Sequence, residues 1–90
     1  MDIEFDPLKR HETLTKRGLD FVDARHILEG PNITIDDDRQ DYAEGRHITF
    51  GKLLDRLVVV VWTARESRCR IISMRKANDR EQKRFGSRLG

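Results

Sequence analysis

The sequence predicts an α+β fold: two N-terminal helices, a four-stranded antiparallel β-sheet meander and a C-terminal helix. Three features lead there. Apolar residues in the first third recur at helical spacing and stop at Gly30-Pro31. Beyond that point the period changes to the two-residue alternation of strands. Residues 57–62 are then apolar without a break, the mark of a strand buried on both faces.

Taken in order, residues 3–5 read as a short extended lead-in. Asp6-Pro7 is a helix start, because the Asp side chain accepts from otherwise unpaired N–H groups and Pro suits the first helical position. A short polar helix follows over 9–17, with Gly18 where a left-handed C-terminal cap is wanted. Asp20 caps a second helix, in which Phe21, Ala24, Ile27 and Leu28 line one face. Residues 33–35 form a short strand and 36–45 an acidic loop. The stretch 46–53 alternates His47, Thr49 and Gly51 against Ile48, Phe50 and Lys52, so Arg46 and His47 fall on opposite faces. Residues 57–63 make the central strand. Residues 68–76 alternate again, with Cys69, Ile71, Ser73 and Arg75 on one face and Arg70, Ile72, Met74 and Lys76 on the other. The connections at Leu54-Asp55 and 64–67 are short enough for hairpins. Asn78, with Glu81 three residues on, signals a last helix over 79–85, and the tail 86–90 is expected to fray.

Size allows one domain, spanning residues 1–90. At 37% hydrophobic and 38% charged residues the core is thin, and a partner is expected to cover leftover apolar surface. The lone Cys69 excludes an intramolecular disulfide framework and fits a reducing compartment. No charged-then-apolar leader opens the chain, and no apolar run approaches the roughly 20 residues that span a bilayer. A cytoplasmic protein without membrane contact is expected.

Charge is unevenly spread. Residues 1–45 carry 6 Lys and Arg against 12 Asp and Glu, a balance of −6, whereas 46–90 carry 12 against 4, a balance of +8. A basic surface on a rigid sheet is what holds a polyanion such as nucleic acid. Metal chemistry finds no foothold in the residue pattern. His11, His26, His47 and Cys69 stand at no zinc-ligand spacing. The run Asp36-Asp37-Asp38 lacks the spacing and terminal Glu of a calcium loop, and reads as a solvated loop. Neither metal nor cofactor is expected.

Particular motifs add a family likeness. They are Phe5-Asp6-Pro7-Leu8-Lys9, Lys16-Arg17-Gly18, Phe21 and Ala24 in the helical part. They continue with Glu44-Gly45-Arg46, Gly51, Val60-Val61-Trp62-Thr63 and Arg65, then Arg70-Ile71-Ile72-Ser73-Met74-Arg75-Lys76-Ala77, Glu81 and Phe85. In order and spacing these resemble the BrnT family of bacterial toxins, across roughly residues 3–85. The resemblance implies a RelE-like fold and an endoribonuclease that cleaves RNA to inhibit translation and growth. It also implies a protein antitoxin of BrnA-like type, carrying a ribbon-helix-helix DNA-binding domain. Operator DNA would then be contacted only through the antitoxin, in a complex that represses its own promoter. The chain departs from the family pattern at Phe5, where Trp is usual, and at Thr13, where Asn is expected. Arg17 stands in place of the His of Lys-His-Gly, which removes one acid/base group.

Cleavage of RNA by internal attack needs a base for the 2′-OH, a cation for the phosphorane and an acid for the departing 5′-oxygen. Arg75 is the favoured cation, because its guanidinium fork can hold two phosphate oxygens and keeps its charge. Arg46 and Arg65 are further catalytic candidates. Glu44 and His47 are the candidates for proton transfer, His47 for its near-neutral titration and Glu44 as its orienter or as the base itself. Lys16, Arg17, Arg70 and Lys76 are expected to contact RNA. Trp62 is expected in the core, and Glu81 as the capping partner of Asn78. Two other readings compete with the enzyme: a catalytically inactive nucleic-acid-binding module of the same fold, and an antitoxin-anchoring module.

Overall fold

The apolar run in the middle of the chain becomes the centre of the structure. The computed structural model describes residues 2–39 and 44–89. Strand β1 (Asp2–Glu4) leads into helix α1 (Pro7–Arg17), and a 3₁₀ turn (Phe21–Asp23) runs on into α2 (Ala24–Glu29). Strands β2 (Asn32–Asp37), β3 (Arg46–Leu53), β4 (Arg56–Arg65) and β5 (Arg68–Lys76) follow, then α3 (Asp79–Phe85) and a closing 3₁₀ turn (Gly86–Leu89). The sheet order is β1-β5-β4-β3-β2. The last four strands form the expected antiparallel meander.

The fifth strand corrects the expected four. Residues 3–5 are not a lead-in; β1 pairs parallel with β5, Ile3 opposite Cys69 and Glu4 opposite Arg70. Three residues are too few for alternation to show, and their partner lies more than sixty positions away in the chain. Two further readings change. The tail forms a 3₁₀ turn, with Leu89 packed beside Phe85, instead of fraying. The acidic run is not simply solvated: β2 extends to Asp37, whose buried carboxylate takes the Arg39 guanidinium at 2.7 and 2.8 Å. The remainder of the expected loop, 40–43, lies outside the described residues.

Helix boundaries follow from local chemistry. Asp6 accepts from the Leu8 amide, Pro7 begins α1, and Gly18 ends it at φ 69°, donating to the Leu14 carbonyl. Asp20 caps the 3₁₀ turn through the Val22 amide and receives Arg10 of α1 at 2.8 and 3.0 Å, which ties the two helical segments together. Asn78 and Glu81 form the reciprocal capping box of α3.

β4 separates two cores. On one face Val58, Val60, Ile71 and Met74 pack against Leu19, Phe21, Ala24 and Ile27. On the other Phe50, Leu57 and Val59 pack against Ala77 and Phe85. Ile71 and Met74 share a core although they stand three positions apart, an odd spacing that strict alternation forbids. The cause is a bulge: Val61 faces Ser73 and Trp62 faces Ile71, leaving Ile72 with no opposite number. The two-face assignment read from the sequence therefore fails past Ile71. Arg70, paired with Thr63, and Arg75, paired with Val59, lie on one face rather than two.

Arg75 and Glu81 lock α3 to the sheet, Nη1 to Oε1 at 2.7 Å and Nη2 to Oε2 at 2.8 Å. The Arg75 hydrogen bonds hold the Glu81 carboxyl below its ordinary range, despite the opposing effect of burial. A carboxyl whose folded titration is depressed stabilises the fold above its unfolded pKa of about 4.3, and this is lost as pH falls. Glu81→Gln is therefore less stable than wild type at pH 7, and the difference narrows as a melting series is taken below about pH 4. Gly51 supplies a second test. A Cβ there would stand 2.6 Å from Cγ2 of the buried Ile27. Gly51→Ala overpacks this seam and costs about 1–3 kcal/mol. The melting temperature should drop by at least about 4 °C for a domain of this size.

Candidate nucleic-acid interface

Cross-strand pairing brings the cations together. Arg46 on β3 and Arg70 on β5 flank Thr63 on β4 from either side, so the three side chains lie in a row on one face. Arg65, two residues beyond Thr63, shares that face. With Glu44 and Lys9 they line a recess whose floor includes Ile72. A second recess between α1 and β5 is lined by Lys9, Glu12, Lys16, Arg17 and Ser73, and again by Ile72. Lys9 and Ile72 belong to both, so the two form one trough across the sheet edge. The recesses measure about 260 and about 220 Å³, below the roughly 300–1,000 Å³ of small-molecule pockets. A shallow cationic trough suits an extended polyanion.

Several contacts hold the trough in shape. The Thr63 hydroxyl donates to the Gly45 carbonyl at 2.6 Å, pinning the Glu44-Gly45-Arg46 corner over the end of β4. Glu44 accepts from Arg65 at 2.9 Å, and this carboxylate pushes the Arg65 guanidinium further up in pKa. Arg70 reaches Glu4 of β1 at 3.3 Å, so the unforeseen strand positions a trough cation. Arg17 donates to the Met74 carbonyl at 2.9 Å, beyond the point where β1 stops covering the edge of β5. Besides its place in the last turn of α1, Arg17 thus caps an open carbonyl at the sheet edge.

The structure brings Glu44, Arg46, Arg65, Arg70, Lys16 and Arg17 around one trough and separates the candidates His47, Lys76 and Arg75 from it. His47 lies on the opposite face, its ring 4.5 Å from Trp62 and its Nδ1 3.2 Å from the Asp36 carboxylate. Trp62 packs against the helical core and donates its Nε1–H to the Thr49 hydroxyl at 2.8 Å. Lys76 stands opposite Val58, at the far end of the strand beside the Leu54-Asp55 turn. Arg75 shares the face of Arg46, but its place opposite Val59 is four β4 residues from Thr63, about 13 Å along the strand. Both of its fork nitrogens are engaged by Glu81.

Lys9, Thr63 and Glu4 were not singled out by sequence reasoning. Lys9 and Thr63 sit within recognisable motifs, which was their only signal; Glu4 had none. Among the described residues no three His, Cys, Asp or Glu side chains gather in a way that could hold a metal ion. No helix among them is long and apolar enough to cross a membrane. Burial raises the Cys69 thiol pKa, which keeps it in the unreactive protonated form.

The motifs that line this trough also place the chain among known proteins. No curated relative matches it. The model of one family does, over residues 5–81, a span that takes in Lys9, the Glu44-Gly45-Arg46 corner, Thr63, Arg65, Arg70 and the α3 lock. That family is described as the ribonuclease toxin, BrnT, of type II toxin–antitoxin systems, and the chain belongs to it.

Proposed function

We propose that the chain is a metal-independent endoribonuclease whose active centre is the trough framed by Arg46, Arg65, Arg70 and Lys9. The observation that carries this reading is the row Arg46–Thr63–Arg70, with Glu44 held at its end by Arg65. A scissile phosphate seated over Thr63 has a guanidinium on each side. Their donors face the oxygens that gain charge in the phosphorane, so the stabilisation grows toward the transition state.

Glu44 supplies the base. Its second oxygen, the one not bonded to Arg65, takes the 2′-OH proton while the 2′-oxygen attacks phosphorus. The P–O5′ bond breaks, and a Lys9 ammonium proton passes to the departing 5′-oxygen. The products are a 2′,3′-cyclic phosphate and a 5′-hydroxyl. The proton on Glu44 returns to Lys9 through solvent, so nothing is consumed. Lys16 and Arg17 extend the trough and carry the flanking phosphates. Arg75, engaged by Glu81, holds α3 in place, and His47 serves the packing of the other face.

In the resting cell a protein antitoxin covers this surface. We assign it the BrnA-like, ribbon-helix-helix type, contacting operator DNA on behalf of the pair and repressing the shared promoter. The support for the antitoxin is the family, and its finer type rests on the motif resemblance.

Purified, antitoxin-free protein is expected to fragment RNA in EDTA and to leave 2′,3′-cyclic phosphate ends. Loss of cleavage under chelation with recovery in magnesium or manganese overturns the metal-independent mechanism. Shifted but intact RNA replaces the enzyme with a binding module. Arg46→Ala and Arg70→Ala should each slow cleavage at least tenfold, since one charge-assisted contact is worth about 1.5–3 kcal/mol and each ~1.4 kcal/mol is tenfold in rate. Lysine at either position recovers part of the loss, because the ammonium cannot make the forked contact. Wild-type rates for both alanine variants place the centre elsewhere.

A further inference from the structure

The same sheet face carries a second groove, which begins at Ile48, two residues along β3 from Arg46, and reaches Arg75, about 13 Å along β4 from Thr63. Its floor is apolar: Ile35 on β2, Ile48 and Phe50 on β3, and Phe85 on α3. Ile35 is 43% exposed, one of five large hydrophobic side chains left to solvent among the described residues. Four arginines rim it, Arg39 and Arg75 toward the sheet and Arg80 and Arg84 on α3. The inner two are bonded to the carboxylates of Asp37 and Glu81. Neither Arg80 nor Arg84 has a carboxylate within salt-bridge distance among the described residues. Arg84 instead lies over the Phe85 ring, 5.0 Å from its centroid. The groove opens beside β2, the strand at the sheet edge, which pairs only with β3.

We infer that this groove is the docking site for an acidic, amphipathic segment of the antitoxin, an inference that rests on the toxin–antitoxin reading above. Apolar anchors of such a segment fill the Ile35–Phe85 floor, and its carboxylates meet Arg80 and Arg84. Charge complementarity selects the sign of the partner. The floor selects its class: an isoleucine and phenylalanine bed offers nothing to a phosphodiester backbone, and the two guanidinium forks nearest the sheet are already taken. RNA is better served by the trough, where polar Thr63 and Ser73 stand beside Ile72 among cationic side chains. A segment anchored here needs only a few extended residues to reach the Arg46–Arg70 row, which joins docking to occlusion of the trough.

The test uses the double charge reversal Arg80→Glu/Arg84→Glu in the full chain, with antitoxin purified from the native operon. Binding is expected to weaken about a hundredfold, while the free variant cleaves RNA at the wild-type rate. Unchanged antitoxin affinity overturns the inference, and so does a variant that keeps its antitoxin but loses RNA cleavage, which makes the groove an RNA surface. If the variant melts below the assay temperature, amide exchange of the wild-type complex decides. Slowed exchange in Asn32–Asp37 and Asp79–Phe85 on adding antitoxin supports the groove, and unchanged exchange there overturns it. A wild-type chain that neither binds this antitoxin nor cleaves RNA removes the toxin–antitoxin reading itself, which is a different result from a wild-type complex indifferent to Arg80 and Arg84.

Discussion

Both the core and the cationic face depend on one extra residue in β5. Ile72 has no partner on β4, and its insertion reverses the facing of every residue that follows. Without it, Met74 would leave the helical core that it completes with Ile71, Val58 and Val60. Arg75 would turn away from α3, and the pair with Glu81 that anchors the helix would have no geometry. Arg70 would still face Thr63, but Ile72 and Ser73 would no longer both line the trough beside it. Bulges occur where a sheet must re-aim side chains, and here two demands are met by one irregularity. The core needs Ile71 and Met74 on one side. The polar face needs Arg70, Ser73 and Arg75 on the other.

Around that constraint the fold is assembled from a small stock of apolar residues. β4 is buried on both sides, so its valines serve two cores at once, while α2 adds Ala24 and Ile27 to one core and α3 adds Phe85 to the other. What hydrophobic burial leaves thin is reinforced by ion pairs at the joints. Arg10 with Asp20 fastens α1 to the turn before α2, and Arg75 with Glu81 fastens α3 to β5. Both are forked contacts to a carboxylate that also caps a helix, Asp20 through Val22 and Glu81 through Asn78. One side chain in each pair thus satisfies an orphan helix amide and a tertiary contact together. Such a carboxylate is sensitive to acid twice over, because protonation weakens the cap and the tertiary bond in the same step.

Where local chemistry decides, the sequence was legible. Asp6-Pro7, Gly18 and the Asn78–Glu81 box set helix ends within one or two residues, and the runs at 46–53 and 68–76 match β3 and β5. Alternation in β3 correctly sets Arg46 and His47 on opposite faces. What could not be read were features decided by distant partners. β1 is too short to show a period and exists because β5 offers it an edge. Asp37 looked like one of three solvated aspartates until Arg39 folded onto it. The bulge leaves only a faint trace, the Ile71-Ile72 doublet that interrupts an otherwise regular alternation over 68–75, and strict parity carried through that doublet misassigns the face of Arg75. The membership of the candidate trough was more legible. Glu44, Arg46, Arg65 and Arg70 were all named before their convergence was known, because motif position carried them even where parity did not.

The charge asymmetry of the chain acquires a structural meaning from this arrangement. The acidic N-terminal half does not face the trough as a uniform repulsive wall. Its carboxylates are distributed to the arginines as holders: Glu4 for Arg70, Glu44 for Arg65, Asp20 for Arg10, Asp37 for Arg39. A guanidinium braced by a carboxylate on one side keeps its remaining N–H groups aimed, so less freedom is lost when a phosphate or a partner carboxylate arrives. The cost is competition, since each bound anion must match a contact already made. That trade separates the two ends of the sheet face. In the trough the braces are single or long contacts, 2.9 Å for Arg65 and 3.3 Å for Arg70, leaving donors for an incoming phosphate. At the α3 end the brace on Arg75 is a closed fork, and recognition passes to the apolar floor and to the two outer arginines. One basic face is thereby divided into a half suited to a mobile polyanion and a half suited to a protein.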